Sequence, residues 1–264
     1  MRPDEEGLIG HKAASLARLV REGYRVPPGL ALTSELLHQV PQAAWEGPLT
    51  EALATLPPPW VVRSSSDAED QAGMACAGLF KTVLGLSTPR GVFQALQEVL
   101  NSLSSESVTT YAHYHKKNAH AFRMAVVIQH LLSPESSGVA FSQHPMGPRN
   151  VVAIEATFGL GAPLVDGTIT PDLISVDADG HAAFMRVGSK KQRAVFDGRE
   201  VRLEDVDPER AARPALTLRE ARSIATLTRR LEQTWGAPQD IEWAFENREL
   251  YVLQSRPITT LPPL

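Results

Sequence analysis

Four polar residues near the C-terminus could together hold a metal ion and the phosphates that accompany it. Period-two alternation over 240–245 places Asp240 and Glu242 on one face of a strand and apolar side chains on the other. Gln254 and Arg256 lie on the matching face if 250–258 pairs with that strand as a hairpin. Carboxylate and amide oxygens suit Mg²⁺, and a guanidinium suits phosphate. A surface strip of ion pairs on an amphipathic hairpin is the alternative interpretation.

The register of this hairpin decides which of these side chains meet. Pairing Trp243 with Leu253 gathers apolar residues on one face. The same register pairs Phe245 with Tyr251 and closes the hairpin with the three-residue loop 247–249. A slip by one residue would put the tryptophan and the phenylalanine opposite Gln254 and Val252 instead, which burial disfavours. We therefore expect the polar residues to pair as well, Glu242 with Gln254 and Asp240 with Arg256.

Two cations nearer the N-terminus are further phosphate candidates. Lys12 follows a glycine-containing stretch, but Ala13 stands where a Walker A motif needs Ser or Thr, so a solvated helix lysine is the alternative. Arg63 precedes the serines at 64–66, whose small side chains would let a ligand approach, and an ordinary strand-end arginine is its alternative. The eight histidines show no convincing ligand spacing, and local context does not single out any of them as a phosphorylated catalytic histidine.

Composition limits the partners and the compartment. The 264 residues carry a net charge of −4, which argues against binding nucleic acid or an anionic membrane through a general basic field. Cys76 is the only cysteine, which excludes an internal disulfide and a multi-cysteine zinc site. The densest apolar stretch, 124–128, is far shorter than the roughly 20 residues that span a bilayer. With no targeting segment visible, we expect a cytoplasmic protein.

The elements that must position these residues alternate between helices and strands. Amphipathic or broken helical patterns cover 10–23, 34–56 (interrupted at Pro41 and Pro48), 88–118 and 217–235, the last with Thr217 as N-cap and Gly236 at its end. Strand patterns cover 60–64, 79–84, 124–132, 139–142, 151–156, 173–177, 240–245 and 250–258, and 64–78 reads as a loop. The pattern predicts an α+β (or α/β) protein with two lobes, 1–133 and 134–264.

Several short segments, spread in order over almost the whole chain, carry a family resemblance. They are 9–16 (IGHKAASL) with 26–29 (VPPG), 62–65 (VRSS) through 68–70 to 77–78, 124–129 (MAVVIQ), 137–141 (SGVAF), 159–161 (GLG), 170–172 (TPD), and 238–243 (PQDIEW) with 253–257 (LQSRP). Together they resemble the nucleotide-binding domain of the phosphoenolpyruvate synthase and pyruvate phosphate dikinase family, which rifampin phosphotransferase and phenylphosphate synthase share. The resemblance implies a two-lobed ATP-grasp fold with ATP held between the lobes.

The resemblance assigns a role to each candidate of the first lobe. Lys12 and Arg63 would hold the phosphates of ATP. Gly78 and Thr82 would belong to the glycine-containing loop that closes over them, and Gln129 would lie at the hinge near the adenine.

The second lobe would supply the metal ligands. Glu242 and Gln254 would hold Mg²⁺, Arg256 would contact the phosphates, and Asp240 would support them. The resemblance thus implies ATP and Mg²⁺ as cofactors. It also implies Lys12, Arg63 and Arg256 as the catalytic residues.

In the family, a histidine on a separate swivelling domain attacks the β-phosphate of ATP and AMP is released. We expect this chain to pass a phosphoryl or pyrophosphoryl group to such a histidine, on a partner protein or elsewhere in a longer protein, for onward transfer to a small molecule. Two alternatives stay open: a catalytically weak nucleotide-sensing module, and an ATP-grasp ligase that forms an acyl phosphate and releases ADP.

The sequence departs from the family pattern at three residues. His11 stands where a second glycine is usual, His144 replaces an Asp or Asn, and Ala162 replaces the glutamate that commonly follows Gly-Leu-Gly. The stretch between Thr33 and Trp60 is also shorter than in most relatives. These changes concern loop geometry and turnover more than ATP binding, because the five phosphate and metal candidates remain.

Overall fold

The computed structural model describes residues 3–39, 41, 44–66, 81–103, 105, 110, 123–145 and 147–259. The chain forms two compact units. The first consists of Met1–Arg21, Pro27–Leu131 and Gly198–Glu200, and the second of Glu22–Val26, Leu132–Asp197 and Val201–Leu264. That these units correspond to the two lobes of a nucleotide-binding domain, divided at 133/134, stays a prediction.

The first unit is a four-stranded antiparallel sheet with helices packed on it. Its elements in chain order are α1 (Pro3–Arg21), β1 (Gly29–Leu32), α2 (Ser34–Gln39), α3 (Glu46–Ala54), β2 (Trp60–Ser66), β3 (Thr82–Leu86), α4 (Pro89–Ser102) and β4 (Met124–His130). The strand order is β1-β4-β2-β3. One face of the sheet, including Trp60, Val62 and Ile128, forms a buried core with α3 and α4. The opposite face is therefore available for polar residues and for α1.

The second unit contains a six-stranded antiparallel sheet and a separate hairpin. Its elements are β5 (Ser136–Phe141), β6 (Val152–Phe158), α5 (Ala162–Val165), β7 (Asp172–Val176), β8 (Ala182–Arg186), β9 (Gln192–Phe196), β10 (Val201–Asp205), α6 (Pro208–Ala211), α7 (Leu218–Trp235), β11 (Gln239–Glu246) and β12 (Glu249–Pro257). The large sheet has the order β12-β11-β5-β6-β7-β8, and β9 pairs with β10.

Helix α7 covers one face of the six-stranded sheet. Thr217 and Glu220 form a reciprocal capping box at its start, and Gly236 ends it in the left-handed conformation, as the sequence predicts. Its apolar stripe, which includes Ile224, packs with Trp243 and other strand residues in a second buried core. Because strand side chains alternate, the polar residues of the same strands lie on the uncovered face.

A buried ion pair fixes the segment 170–172 that carries part of the family resemblance. One carboxylate oxygen of Asp172 accepts hydrogen bonds from the Lys190 ammonium and, at 2.8 Å, from the Gly188 amide. Its other oxygen accepts from the Ala215 amide at 2.6 Å. Both charged side chains are fully buried, so these partners must compensate for the loss of water around each charge. The Thr-Pro-Asp segment therefore has a structural role in this unit.

Several element boundaries differ from the predicted ones. Helix α1 begins at Pro3 and is broken at Gly10, so the helix predicted over 10–23 corresponds to its second segment, which ends at Arg21. Pro48 lies inside α3, in its first turn, where a missing N–H costs little, so this proline does not break the helix. Helix α4 ends at Ser102, much earlier than the predicted 118, and most residues of 104–122 lie outside the described part of the chain. Strand β3 begins at Thr82 within the described residues, and the sequence did not predict β8, β9, β10, α5 or α6.

The helices that the structure describes include none long and apolar enough to cross a membrane.

Candidate functional site

A break in α1 determines the position of Lys12. Gly10 has φ 72° and ψ 168°, and a Cβ there would lie 2.3 Å from the Ser65 carbonyl oxygen. The Ser65 hydroxyl donates to the Ile9 carbonyl at 2.6 Å and accepts from the Ala13 amide at 3.0 Å. This hydroxyl therefore bridges the break and fixes the following helical segment, with Lys12 in its first turn, against strand β2.

Lys12 itself is buried and is held by the same strand. Its Nζ donates to the Ser64 carbonyl oxygen at 2.9 Å, and the residue is 8% exposed. A lysine fixed in this way is not the solvated helix lysine of the alternative interpretation.

The sheet register places the other candidates of the first unit on one face. Arg63 pairs with Thr82 on β3 and with Val127 on β4. Two residues further along β4, Gln129 pairs with Val61. Residues that pair directly in an antiparallel sheet share a face, so these three candidates lie on the face opposite the apolar core. Ser65, which contacts α1, lies on this face as well.

Gln129 holds the Pro-Pro-Gly segment in place. Its Nε2 donates to the Pro27 carbonyl oxygen at 3.0 Å, and the side chain is buried. Gly29 lies opposite Gln129 in the register, and a Cβ on Gly29 would come within 2.6 Å of the glutamine Cγ. A role of Gln129 beside adenine stays a prediction. Gly78, the predicted loop glycine, lies outside the described residues.

In the second unit, the polar residues of the C-terminal hairpin pair as predicted. Asp240 lies opposite Arg256, and Glu242 lies opposite Gln254. Nε and Nη2 of Arg256 both lie 2.8 Å from Oδ2 of Asp240. The Asp240 side chain is only 12% exposed, so this ion pair is shielded from water much better than the exposed pairs on the surface.

The apolar half of the hairpin differs from the prediction. The ladder shifts by one residue after Glu242, so that Trp243 pairs with Val252 and Phe245 pairs with Leu250. The predicted partners, Leu253 for the tryptophan and Tyr251 for the phenylalanine, are therefore wrong, and so is the three-residue loop. The extra residue at Leu253 forms a β-bulge. The bulge permits a two-residue turn at 247–248, whose two residues both have positive φ.

A third carboxylate, which the sequence did not identify, lies on the same face of the sheet. Glu242 pairs with Val139 on β5, and Val139 pairs with Glu155 on β6. Glu155 therefore lies in one cross-strand row with Glu242 and Gln254, on the face that α7 does not cover. Its signal in the sequence was a single charged residue in the otherwise uncharged strand 151–158.

The surroundings of Glu155 disfavour its charge. Burial raises the pKa of this carboxyl above its ordinary value, and the nearby negative charge of Asp240 raises it further. No hydrogen-bond donor or cation among the described residues contacts it. A divalent cation at this face would offset the repulsion between the carboxylates, and the oxygen donors of Glu242 and Gln254 suit Mg²⁺. The residues present on this face therefore fit the metal that the sequence predicts.

All three departures from the family pattern lie in the described part of the chain. His11 follows the break at Gly10 and does not have positive φ, so a second glycine is not needed there. Ala162 begins the short helix α5 directly after Gly161. His144 lies in the described segment after β5. Their effect on turnover stays a prediction.

The first unit places Lys12 of α1 and Arg63 of β2 at the polar face of its sheet, and the second unit places Glu242, Gln254 and the Asp240–Arg256 pair on one face of its own sheet. Helices packed on antiparallel sheets make this an α+β protein. Residues 47–263 match the family model described as "Pyruvate phosphate dikinase, AMP/ATP-binding domain". The chain belongs to this family, and the predicted resemblance is confirmed.

Curated relatives are phosphotransferases and synthases. The chain is 35% identical over 270 residues to a rifampicin phosphotransferase of Streptomyces sviceus, covering 99% of this chain and 29% of the relative. It is 35% identical over 202 residues to a probable phosphoenolpyruvate synthase of Archaeoglobus fulgidus, covering 76% of this chain and 27% of that protein. A prodigiosin synthesizing transferase of Serratia marcescens is 30% identical, with 96% of this chain and 32% of that protein covered. The chain thus spans less than a third of the length of these relatives.

A solved structure with little sequence similarity shares the fold. A dinucleotide-forming acetyl-coenzyme A synthetase of Candidatus Korarchaeum cryptofilum superimposes with a TM-score of 0.50 at 12% identity, covering 92% of this chain and 90% of that chain. The predicted α+β class and ATP-grasp fold are confirmed.

Proposed function

We propose that this chain binds Mg-ATP and passes a phosphoryl or pyrophosphoryl group to a histidine on a separate swivelling domain or partner protein, for onward transfer to a small molecule. The observation that carries the proposal is the row of Glu242 and Gln254 beside the Asp240–Arg256 pair, in a chain of the AMP/ATP-binding family.

The first unit would bind the phosphates and the base. Lys12 is held against Ser64 of β2, and Arg63 lies on the polar face of the same sheet, so these two residues are the cations that would contact phosphate oxygens. Thr82, paired with Arg63, would lie beside the phosphates at the start of β3. Gln129 would contribute to the adenine end. Catalysis of phosphoryl transfer depends mainly on positioning and on charge neutralisation, which is what fixed cations supply.

The second unit would hold the metal and orient one more cation. Glu242 and Gln254 would provide the oxygen ligands for Mg²⁺, which neutralises phosphate charge when bound. Arg256 would contact a phosphate, and Asp240, which contacts Nε and Nη2 of the guanidinium, would hold it in orientation. Asp240 is therefore a positioning residue in this proposal.

The transfer itself would need no covalent intermediate on this chain. The histidine nitrogen of the partner domain would attack the β-phosphorus of ATP. The bond from that phosphorus to the oxygen bridging the α- and β-phosphates would break, and AMP would leave with the electron pair and the negative charge. Lys12, Arg63 and Arg256 would stabilise the charge that develops on the phosphate oxygens.

The test is the nucleotide product. The chain is incubated with Mg-ATP and the isolated histidine domain of a rifampicin phosphotransferase, and nucleotides are separated by chromatography. We expect AMP, and we expect Glu242→Ala to lower its rate at least about a hundredfold, as for loss of a metal ligand. Glu209→Ala, which changes an exposed glutamate on α6, serves as the matched control.

Other outcomes separate the alternatives. AMP formation that is equal in the Glu242→Ala variant and in the parent protein would contradict the proposal. ADP as the main product, with a carboxylic acid as co-substrate, would indicate a ligase. Calorimetric ATP binding without any turnover would indicate a nucleotide-sensing module.

A further inference from the structure

The second unit has an open cavity of about 570 Å³ along the outer side of α7. Helix α7 covers the sheet face opposite to Glu242, so the cavity lies on the other side of the sheet from the carboxylate row. Every residue that lines it belongs to this unit. Its volume falls within the range of small-molecule sites.

The floor of the cavity is apolar and carries one phenol. Leu227 and Leu250 line it together with the ring of Tyr24. Burial raises the pKa of the Tyr24 phenol above its ordinary value of 10.0, the charge of Arg230 opposes this shift, and the nearby Glu22 carboxylate, which does not line the cavity, adds a smaller increase. The phenol is therefore protonated at neutral pH and can donate a hydrogen bond to a ligand.

Three arginines form the rim. Arg219 and Arg222 are one turn apart on α7, and Arg230 lies two turns further along. The guanidinium carbon of Arg230 lies 5.6 Å from the centroid of the Tyr24 ring, and Nε of Arg222 donates to the Gly180 carbonyl at 2.7 Å. Within the described part of the chain, no carboxylate forms an ion pair with any of the three.

Three arginines beside an apolar floor are unusual for a solvated helix surface. The whole chain has a net charge of −4, yet this cavity brings together three cations and no carboxylate of its own lining. Like charges at adjacent helical positions repel each other slightly, so the arrangement is not explained by helix stability. An anionic ligand would relieve the repulsion and would use the apolar floor.

The spacing defines the shape of the ligand. Side chains at i and i+3 on a helix have Cβ atoms about 5–6 Å apart, so Arg219 and Arg222 can bind the same anionic group. Arg230 lies eight residues beyond Arg222, which corresponds to about 12 Å along the helix axis. The apolar floor and the Tyr24 ring occupy the space between these two ends.

We propose that this cavity binds a small organic anion, with its phosphate or carboxylate between Arg219 and Arg222 and a flat apolar body over Leu227, Leu250 and Tyr24. The site is separate from the proposed nucleotide site and does not depend on the proposed function.

The test measures binding of 1-naphthyl phosphate as the probe. Binding is monitored through the amide chemical shifts of the ¹⁵N-labelled chain. Inorganic phosphate supplies the charge without the body, and 1-naphthol supplies the body without the charge. We expect saturable binding of naphthyl phosphate with a Kd below about 1 mM. The shifts should lie on α7 and around Tyr24, both control compounds should bind at least about tenfold more weakly, and saturation with a non-hydrolysable ATP analogue should not displace the probe.

Two variants locate the anion. Arg219→Gln, which removes no hydrogen bond to a described residue, should raise the Kd of naphthyl phosphate about tenfold, and adding Arg222→Gln should raise it further. Arg213→Gln, an exposed arginine outside the cavity, should leave it unchanged. The proposal is overturned if binding does not saturate, if Arg219→Gln binds like the parent, or if the ATP analogue displaces the probe.

Discussion

Asp240 and Arg256 face each other across the last two strands, and two guanidinium nitrogens of Arg256 lie 2.8 Å from the same carboxylate oxygen, Oδ2 of Asp240. The pair lies next to Glu242 and Gln254 in the register. The ion pair therefore fixes the orientation of the Arg256 guanidinium at the face of the sheet that carries the carboxylates.

Asp240→Asn should weaken ATP binding without unfolding the protein. The amide keeps the shape of the side chain but loses the charge that orients Arg256, so we expect the Kd of Mg-ATP to rise about tenfold in calorimetry. The stability loss should be about 1 kcal/mol, since Arg256 is partly exposed and keeps contact with water. Asp205→Asn, on the exposed hairpin, is the control. Unchanged ATP affinity in the Asp240 variant would show that Asp240 does not position Arg256.

Glu155→Gln should stabilise the metal-free protein at neutral pH. The folded-state pKa of Glu155 is raised above its ordinary value of 4.5 by burial and by Asp240, so the folded protein holds this proton more tightly than the unfolded chain. The ionised carboxylate therefore lowers stability above the raised pKa, and this penalty disappears as the pH falls below 4.5. We expect a Tm higher by a few degrees at pH 7 and no difference below the ordinary pKa.

The same variant also tests the metal. In the presence of an ATP analogue, Mn²⁺ should bind more tightly to the parent protein than to Glu155→Gln. Electron paramagnetic resonance measures the free Mn²⁺ at each step of the titration. Glu51→Gln, on an exposed position of α3, is the control.

The stability prediction has its own contradicting outcome. If Glu155→Gln lowers the Tm at pH 7 in the absence of metal, the carboxylate is stabilised by a partner and the interpretation of its pKa is wrong.

Gly10→Ala should destabilise the first unit strongly. A Cβ at this residue would lie 2.3 Å from the Ser65 carbonyl oxygen, and the φ of 72° is unfavourable for any L-residue. We expect a loss of about 3 kcal/mol or more in the free energy of unfolding, measured in urea. Gly7→Ala, in the same helix with no atom near the added Cβ, should gain about 0.5–1 kcal/mol. Equal effects of the two substitutions would contradict the broken helix.

Local patterns predicted the helix caps and the polar register, because their signals lie within a few residues. The capping box at Thr217 and Glu220 and the pairing of Asp240 with Arg256 are of this kind. The bulge at Leu253 was not predictable from alternation, since Val252 and Leu253 are both apolar and either can pair with Trp243.

Two features of the candidate site depend on contacts between residues far apart in the chain, and the sequence did not predict them. Glu155 joins the carboxylate row only because β5 lies between β6 and β11, and nothing local specifies that strand order. The break at Gly10 depends on Ser65, whose hydroxyl reaches α1 from strand β2. A glycine inside a helical pattern permits either a continuous helix or a break, and only the distant partner decides between them.

Arg248→Gly should stabilise the C-terminal hairpin. Asn247 and Arg248 have φ values of 53° and 64°, as a two-residue type I′ turn requires, and Asn-Gly is the preferred sequence for this turn. Glycine removes the left-handed strain of an arginine but costs more entropy on folding, so the net gain should be about 0.5–1 kcal/mol. Lys191→Gly, at an exposed residue outside the left-handed region, should instead lose stability. Mg-ATP affinity should be the same in the parent and in Arg248→Gly, because the bulge separates the turn from Glu242 and Gln254. A lower Tm for Arg248→Gly than for the parent, measured by calorimetry, would show that the arginine makes a contact that outweighs its backbone strain.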